Sequence, residues 1–410
     1  MHYTDKKLCR VRTVTAFLVL DKEKGSWKNI LESGAAFCSR LADEFSRNGY
    51  LVQSIRIVTN PFGEYLDTGS LESAKADLEY ISSLLNGLDL QGMRIRFAIG
   101  EAKNSTEMAL LPELILAHGD LCNACVNVTI DDHGVLDNEM IRDAVAVVRE
   151  IGSTTPRGEG NFNFTVNFNC EPLIPYFPAS YHDRALGNCF VVGLETPDLL
   201  VNVLQDFNGK NPEVSHDELM RGSAAVMRSA LQYHVDHVLS IVEAFPDEHG
   251  FSFAGIDSSA APSKDCSSMV DVYKLMGVEY FGAAGTVEAS AMLTRVFKGV
   301  TGVPLVGFSG LMLAVTEDTG LAEATRRGEF DIRSLLTCSA VCGIGLDTVP
   351  IPGSTSAEKI TALMRDTGTM AFRLNKPLTV RLFPVPGVMA GESTTFESDD
   401  LCNCTVLEVP

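Results

Sequence analysis

Positive charge is scarce in this sequence: 33 Lys and Arg stand against 53 Asp and Glu, a formal net charge of −20 over 410 residues. Nucleic acid and anionic membrane surfaces both require a basic footprint. They are therefore excluded as partners over any broad face, whereas a few local Arg or Lys still suffice for a small anion. Long apolar runs are missing too. Val14 to Leu20 falls well short of the ~20 residues that cross a bilayer, lacks a small-residue cleavage site and runs into Asp21-Lys22-Glu23-Lys24. It is expected to be a first strand, and the chain is expected to be cytoplasmic. Nor is there an even, regularly spaced set of cysteines. Eleven are scattered along the whole length, which is no disulfide framework in a chain of this size, so they are expected to be reduced.

Several familiar signatures are absent. No GxGxxG and no Walker-type Gly-Lys-Ser/Thr occurs, so nucleotide binding has little support. Cys122 to Cys125 form a lone CxxC without a second ligand pair, and His234 and His237 lie outside any HExxH. Neither spacing makes a zinc site. What is present is 45% hydrophobic residues, enough for a substantial core. Short β-rich runs alternate with amphipathic helices: helices over Trp27 to Asn48, Leu71 to Leu85, Glu107 to Ala117 and Asn138 to Ile151, and strands over Val52 to Thr59, Met93 to Ile99 and Ala124 to Ile130. That alternation predicts βαβ crossovers and an α/β fold with a parallel or mixed sheet, read as one domain over 1–410. A long helix is predicted from His216 to Phe245, a strand from Leu378 to Phe383, and an edge strand over Cys404 to Val409.

Polar residues concentrate at a few strand ends. In LTCSAVCGIGLDTVPIPGSTS (Leu336 to Ser356), Gly343 and Gly345 remove bulk around Ile344, which predicts a backbone packed closely against something else. Cys342 lies beside them, a candidate ligand contact or equally a buried small hydrophobe. Asp347 is expected at a strand end, ahead of a helix that starts after Ser356. Phe251 to Asp257 repeats the pattern with Asp257, and Glu317 and Asp318 precede another predicted helix. Asn163, Asn167 and Asn169 share a parity and would line one strand face, for a polar ligand or for neighbouring backbone. His182, beside Tyr176, Phe177 and Tyr181, is a candidate proton carrier. Gly285 and Thr286 open a helix whose N–H groups could receive an anion.

Taken together, GIDSSAAPS (Gly255 to Ser263), FGAAGT (Phe281 to Thr286), PYFPASYH (Pro175 to His182), GFSGLMLAVTEDTGLA (Gly307 to Ala322), CGIGLDTVPIPG (Cys342 to Gly353) and RLFPVPGVMAGE (Arg381 to Glu392) resemble the domain of unknown function 711 family, in order and over nearly the whole length. That resemblance implies a pyruvate formate-lyase-like fold: a large α/β barrel of about ten strands with surrounding helices. It does not imply radical chemistry, because the C-terminal Arg-Val-x-Gly-Tyr-type loop of glycyl-radical enzymes is absent and Cys338 and Cys342 are not adjacent.

These observations lead to an expected enzyme acting on a small polar or anionic metabolite in the barrel interior by acid/base chemistry. Lyase, isomerase and hydrolase classes remain open. Asp257, Asp347, His182 and Glu317 are the candidate catalytic groups. Asn167, Asn169, Gly285, Thr286, Cys342, Gly343 and Arg381 are candidate ligand contacts. The carboxylate supply would suit a divalent metal, since hard ions take oxygen ligands. A homo-oligomer is compatible with this reading. The alternatives are a non-catalytic ligand-binding or regulatory protein and an oxidoreductase with an exogenous cofactor.

Overall fold

The computed structural model describes residues 2–88, 93–119, 121–246 and 250–410. Its first half is a run of βαβ crossovers. Strands β1 (Arg10–Leu18), β2 (Ile55–Thr59), β3 (Ile95–Glu101), β4 (Asn123–Val128) and β5 (Phe164–Phe168) pair in parallel in that order. Helices α1 (Trp27–Arg47), α2 (Leu71–Asn86), α3 (Ser105–His118) and α4 (Asn138–Thr154) connect them. The helices start where the sequence offers side-chain acceptors: Ser70, Asn104 and Asp137 each cap a backbone N–H two or three residues on, satisfying donors that have no partner inside the helix.

The second half wraps the two sides of this block. Strand β6 (Cys189–Glu195) runs antiparallel to β1, and β7 (Ser252–Asp257) lies parallel outside it. On the far side β9 (Leu378–Val385) runs antiparallel to β5, with β8 (Gly345–Pro352) parallel outside it. Among the described residues the sheet therefore has nine strands in the order β7-β6-β1-β2-β3-β4-β5-β9-β8. Continuous pairing does not close it into a ring. One segment instead touches both edges: Leu305 bridges to Ile256 of β7 and Ala314 to Asp347 of β8. Helices α5 (Pro197–Lys210), α6 (His216–Ala244), α7 (Met269–Leu275), α8 (Thr286–Lys298), α9 (Thr319–Arg326), α10 (Ile332–Ser339) and α11 (Ala357–Arg373) complete the architecture. No helix of the described residues is long and apolar enough to cross a membrane.

The predicted helices at Trp27, Leu71, Asn138 and His216 start where they were read. The tail differs: Cys404 to Val409 forms no strand, and Thr405 makes only a single bridge to Ser393. Val406 is buried beside Phe383 and Phe396, and the tail's backbone bonds a short segment, Val406 to Gly391 and Glu392 and Cys404 to Thr394. Asp347 is also displaced from its expected position. It is the third residue of β8, inside the strand, where the register with β9 shifts between Leu346 and Val349 and Thr348 has φ 48°. A shift of this kind re-aims a side chain within a strand.

Candidate functional site: an arginine-lined double chamber

Alternate residues of a strand point to one face, and here that parity, together with the irregularity of β1 between Val11 and Thr13, gathers arginines. Arg10 and Arg12 open β1, Arg56 is the second residue of β2, and Arg96, the second of β3, is its register partner. Arg94 precedes Arg96 by two. A chain with 20 more acidic than basic residues thus presents five arginines on one sheet face. Phe162, Phe177, Ser263 and Asp400 help to enclose this face as an outer chamber of about 440 Å³. A narrower inner chamber of about 40 Å³ adjoins it and shares Arg12, Arg56, Phe177 and Glu317 with it. Strands from both halves of the sheet line the inner chamber: β5 through Thr165, β9 through Thr379 and Arg381, and β8 through Asp347. Apolar cover comes from Phe308, Met312 and Ile344.

Most of the arginines are neutralised. Arg10 and Arg12 donate to the two oxygens of the buried Glu195, both at 2.9 Å, and Arg10 also reaches Asp198 at 3.0 Å. Arg96 and Arg94 pair with Asp400. Arg381 lies between two carboxylates: its Nε donates to Asp347 Oδ1 at 2.7 Å and an Nη to Glu317 Oε2 at 2.6 Å. It also stacks over Phe162, 5.0 Å from the ring centre. Two acids sharing one guanidinium cannot both be fully compensated. Burial raises the pKa of Glu317, and the nearby Asp347 adds to the rise against the pull of Arg381.

Arg56 differs from the rest. It is 6% exposed, donates to the Pro175 carbonyl at 2.9 Å and lies 4.9 Å from the centre of the Phe177 ring. Its Nε has no partner, and among the described residues no carboxylate is within ion-pair distance of it. Burial, reinforced by Arg12 and Arg96, lowers its basicity. A buried cation without a counter-charge is costly.

The family described as "Uncharacterised ACR (DUF711)" matches residues 3–398 of this chain. The chain belongs to the DUF711 family. A UPF0210 protein of Pyrobaculum arsenaticum is similar at 27% identity over 371 residues, covering 85% of this chain and 76% of its own length. A UPF0210 protein of Desulforudis audaxviator is 29% identical over 296 residues, 70% of this chain and 63% of its own. One from Limosilactobacillus reuteri is 29% identical over 298 residues, 71% and 64% respectively.

Within this DUF711 chain the residues singled out from sequence separate into two groups. Asp347, Glu317 and Arg381 converge on the inner chamber. The others do not line either chamber. Asp257 braces the turn after Gly307, accepting hydrogen bonds from Ser259 N, Ser259 Oγ, Phe308 N and Ser309 N at 2.6–3.0 Å; burial pushes its carboxyl up to about 6. Asp318 caps α9. His182 Nε2 lies 2.9 Å from the Gly187 carbonyl, its ring packs on Phe17, and burial holds its pKa down to about 4. Asn163 and Asn167 donate across the sheet to Asn123 and Asn127, both at 3.0 Å, while Asn127 Nδ2 and Asn167 Oδ1 are left without partners. Asn169, left-handed at φ 53°, reaches Asn375. Thr286 Oγ1 accepts from Gly282 N and donates to Ala283 O, closing the turn that ends in Gly285.

Cys342 is 1% exposed and its Sγ accepts only a long 3.5 Å contact from Gly345 N. The close approach predicted for its neighbours is present. A Cβ on Gly343 would lie 2.8 Å from Gly310 Cα, and one on Gly345, at φ 96°, would lie 2.5 Å from the Thr379 carbonyl. Both glycines therefore hold Ile344 against the chamber. Among the described residues no group of three or more His, Cys, Asp or Glu is gathered to hold a metal ion, and the carboxylates that would suit one are directed at Arg381. The residues that sequence reading missed are Arg10, Arg12, Arg56, Arg94 and Arg96. Their signal was the Arg-x-Arg spacing at two strand starts in a chain otherwise poor in basic residues.

Proposed function

We propose that this protein is an enzyme acting on a small anionic metabolite by acid/base chemistry in the inner chamber, with the curled sheet forming a pyruvate formate-lyase-like barrel around it. Support for the barrel comes from the segment that bridges both sheet edges and from the contribution of opposite strands to one chamber. Arg56 anchors the anion, and its lack of a carboxylate partner is the observation that carries the reading. Arg381 orients Asp347 and Glu317. Glu317, whose carboxyl burial raises above its ordinary value, delivers or takes the proton as the general acid/base. The outer chamber admits the ligand past Arg94 and Arg96.

Thermal-shift and calorimetric titration with a panel of small carboxylates and phosphates tests the anchor. Wild-type protein should be stabilised by at least one of them in a saturable way, and Arg56→Met should abolish that response while remaining folded. A response unchanged in Arg56→Met would refute the anchor. Glu317→Gln separates an enzyme from a non-catalytic binder, since it should retain binding but lose turnover once a substrate is identified.

A further inference from the structure

Helix α4 buries Ile141, Ala144, Val148 and Ile151 and leaves Glu139, Arg142, Ala146, Arg149 and Glu150 exposed. At 3.6 residues per turn, this outward side sorts by charge. Arg142 and Arg149 fall within about 20° of each other around the helix, and Glu139, Asp143 and Glu150 within about 40° of each other. Ala146 lies between the two stripes. The acidic stripe borders α3, whose Ser105 donates to Asp143 at 2.5 Å. The basic stripe borders α11, and a groove of about 360 Å³ runs between α4 and α11.

Three arginines line that groove, Arg142, Arg149 and Arg365 of α11, against one acid, Glu358. Small side chains form its floor, Ala146, Ala357 and Thr361. Opposite charges three or four residues apart on a helix ordinarily pair with each other. Glu139 and Arg142 are three apart and do not: among the described residues none of Glu139, Arg142, Arg149, Glu150 and Arg365 forms an ion pair. Arg149 acts on Glu358 only from a distance, helping to lower its pKa behind the hydrogen bonds of the helix start.

The two stripes are complementary to each other, so a second copy of α4 is complementary to the first. With a two-fold axis parallel to the helix, the basic side of one copy faces the acidic side of the other. Arg142 then lies within one turn of Glu139 and Asp143 of the second copy, Arg149 beside Glu150 of the second copy, and Ala146 against itself. A small residue on the axis lets the helices approach to about 8 Å. An axis across the helix would set arginine against arginine.

We infer that α4 and the groove beside it form the interface of a homodimer, with the two α4 helices parallel and the acidic stripe of each copy facing the arginine-lined groove of the other. Every pair occurs twice in such an isologous contact, so ion pairs that are weak singly combine into one complementary patch. Each copy carries a formal charge of −20; the long-range repulsion this creates is screened within about 8 Å at physiological salt. The interface shares no residue with either chamber and stands apart from the catalytic reading.

Sedimentation equilibrium of the intact protein, from roughly 1 µM to 1 mM in about 0.15 M salt, tests it. Wild type should pass from monomer to dimer within that span. The double variant Arg142→Glu/Arg149→Glu has acids on both sides of the helix, and Glu139→Lys/Glu150→Lys has bases on both. Each alone should dimerise about tenfold or more weakly than wild type, and an equimolar mixture of the two should recover a dimer. All four positions are exposed, so circular dichroism and melting should match wild type. If either double variant fails to fold, Ala146→Arg, which sets like charges together on the axis, should abolish the dimer in its place. A wild type that stays monomeric throughout overturns the inference. So does a dimer that persists unchanged in these variants, or a mixture of two folded double variants that stays monomeric.

Discussion

Arg56 and Arg381 are both buried arginines of one chamber, yet their removal should have opposite effects on stability. Arg381→Met leaves Asp347 and Glu317 buried without the cation they share, and breaking a buried pair in this way costs about 3–5 kcal/mol. Arg56→Met removes a cation that has no carboxylate partner. The loss is one charge-assisted bond to the Pro175 carbonyl, about 1.5–3 kcal/mol. Against it stands relief from several kcal/mol of desolvation for an isolated ion, and methionine retains a contact with the Phe177 ring. The expected balance for Arg56→Met is no loss, or a gain of up to about 2 kcal/mol. With about 2.1 cal/mol/K of unfolding entropy per residue, a chain of 410 residues shifts by about 1 °C per kcal/mol. Arg381→Met should therefore melt about 4–6 °C below wild type and Arg56→Met at or slightly above it. Parallel thermal melts and denaturant titrations at neutral pH read both. A loss above about 2 kcal/mol in Arg56→Met would show that the side chain is structural, and the anion-anchor reasoning would then fail.

Three further outcomes follow from the geometry. Gly343→Ala should destabilise by about 1–3 kcal/mol, because its Cβ would collide with the Gly310 backbone; denaturant unfolding at unchanged m value is the readout. Acid should weaken the fold through the buried histidines. His182 and His234 are both held down to about 4 by burial, below the unfolded value of about 6.5. Their contribution is present above pH ~6.5 and lost as pH falls toward ~4, up to about 3 kcal/mol each; His182→Phe should reduce that pH-dependent loss. Cys342, buried and without an open path, should react with iodoacetamide in the native state more slowly than a free thiol, and Cys342→Ala should keep most ligand binding. Rapid, ligand-protected alkylation would make it a site residue.

Much of the helical scaffold was readable because it is written locally. Trp27, Leu71, Asn138 and His216 each combine an apolar 3.6-residue period with a start signal nearby in sequence, and the structure begins helices there. Asp347, Glu317 and Arg381 were legible as polar residues in glycine-containing motifs. The arginine face was not, because it is a property of register: Arg56 and Arg96 become neighbours only through β2 and β3 pairing, and each alone looks like a solvated strand end. Asp257 shows the reverse error of inference. Its motif resembles that of Asp347, but the Ser259, Phe308 and Ser309 donors turn it into a brace, and two of those donors, Phe308 and Ser309, come from a turn some fifty residues later. The tail was misread because Val406 and Val409 signal burial, and burial here is met by side-chain packing with a few backbone bonds to residues 391–394.

The segment that touches both ends of the sheet has a consequence for solubility. Outermost strands offer rows of open N–H and C=O groups to other chains, and natural proteins cover them. Here Pro304 and Val306 bond Ile256 on one margin, while Val315 and Thr316 bond Asp347 and the Thr348 hydroxyl on the other. A single stretch of about a dozen residues thus guards both margins, so its release would uncover two templates for intermolecular pairing at once. Truncation or local unfolding there should promote self-association, even though every strand of the sheet remains in place.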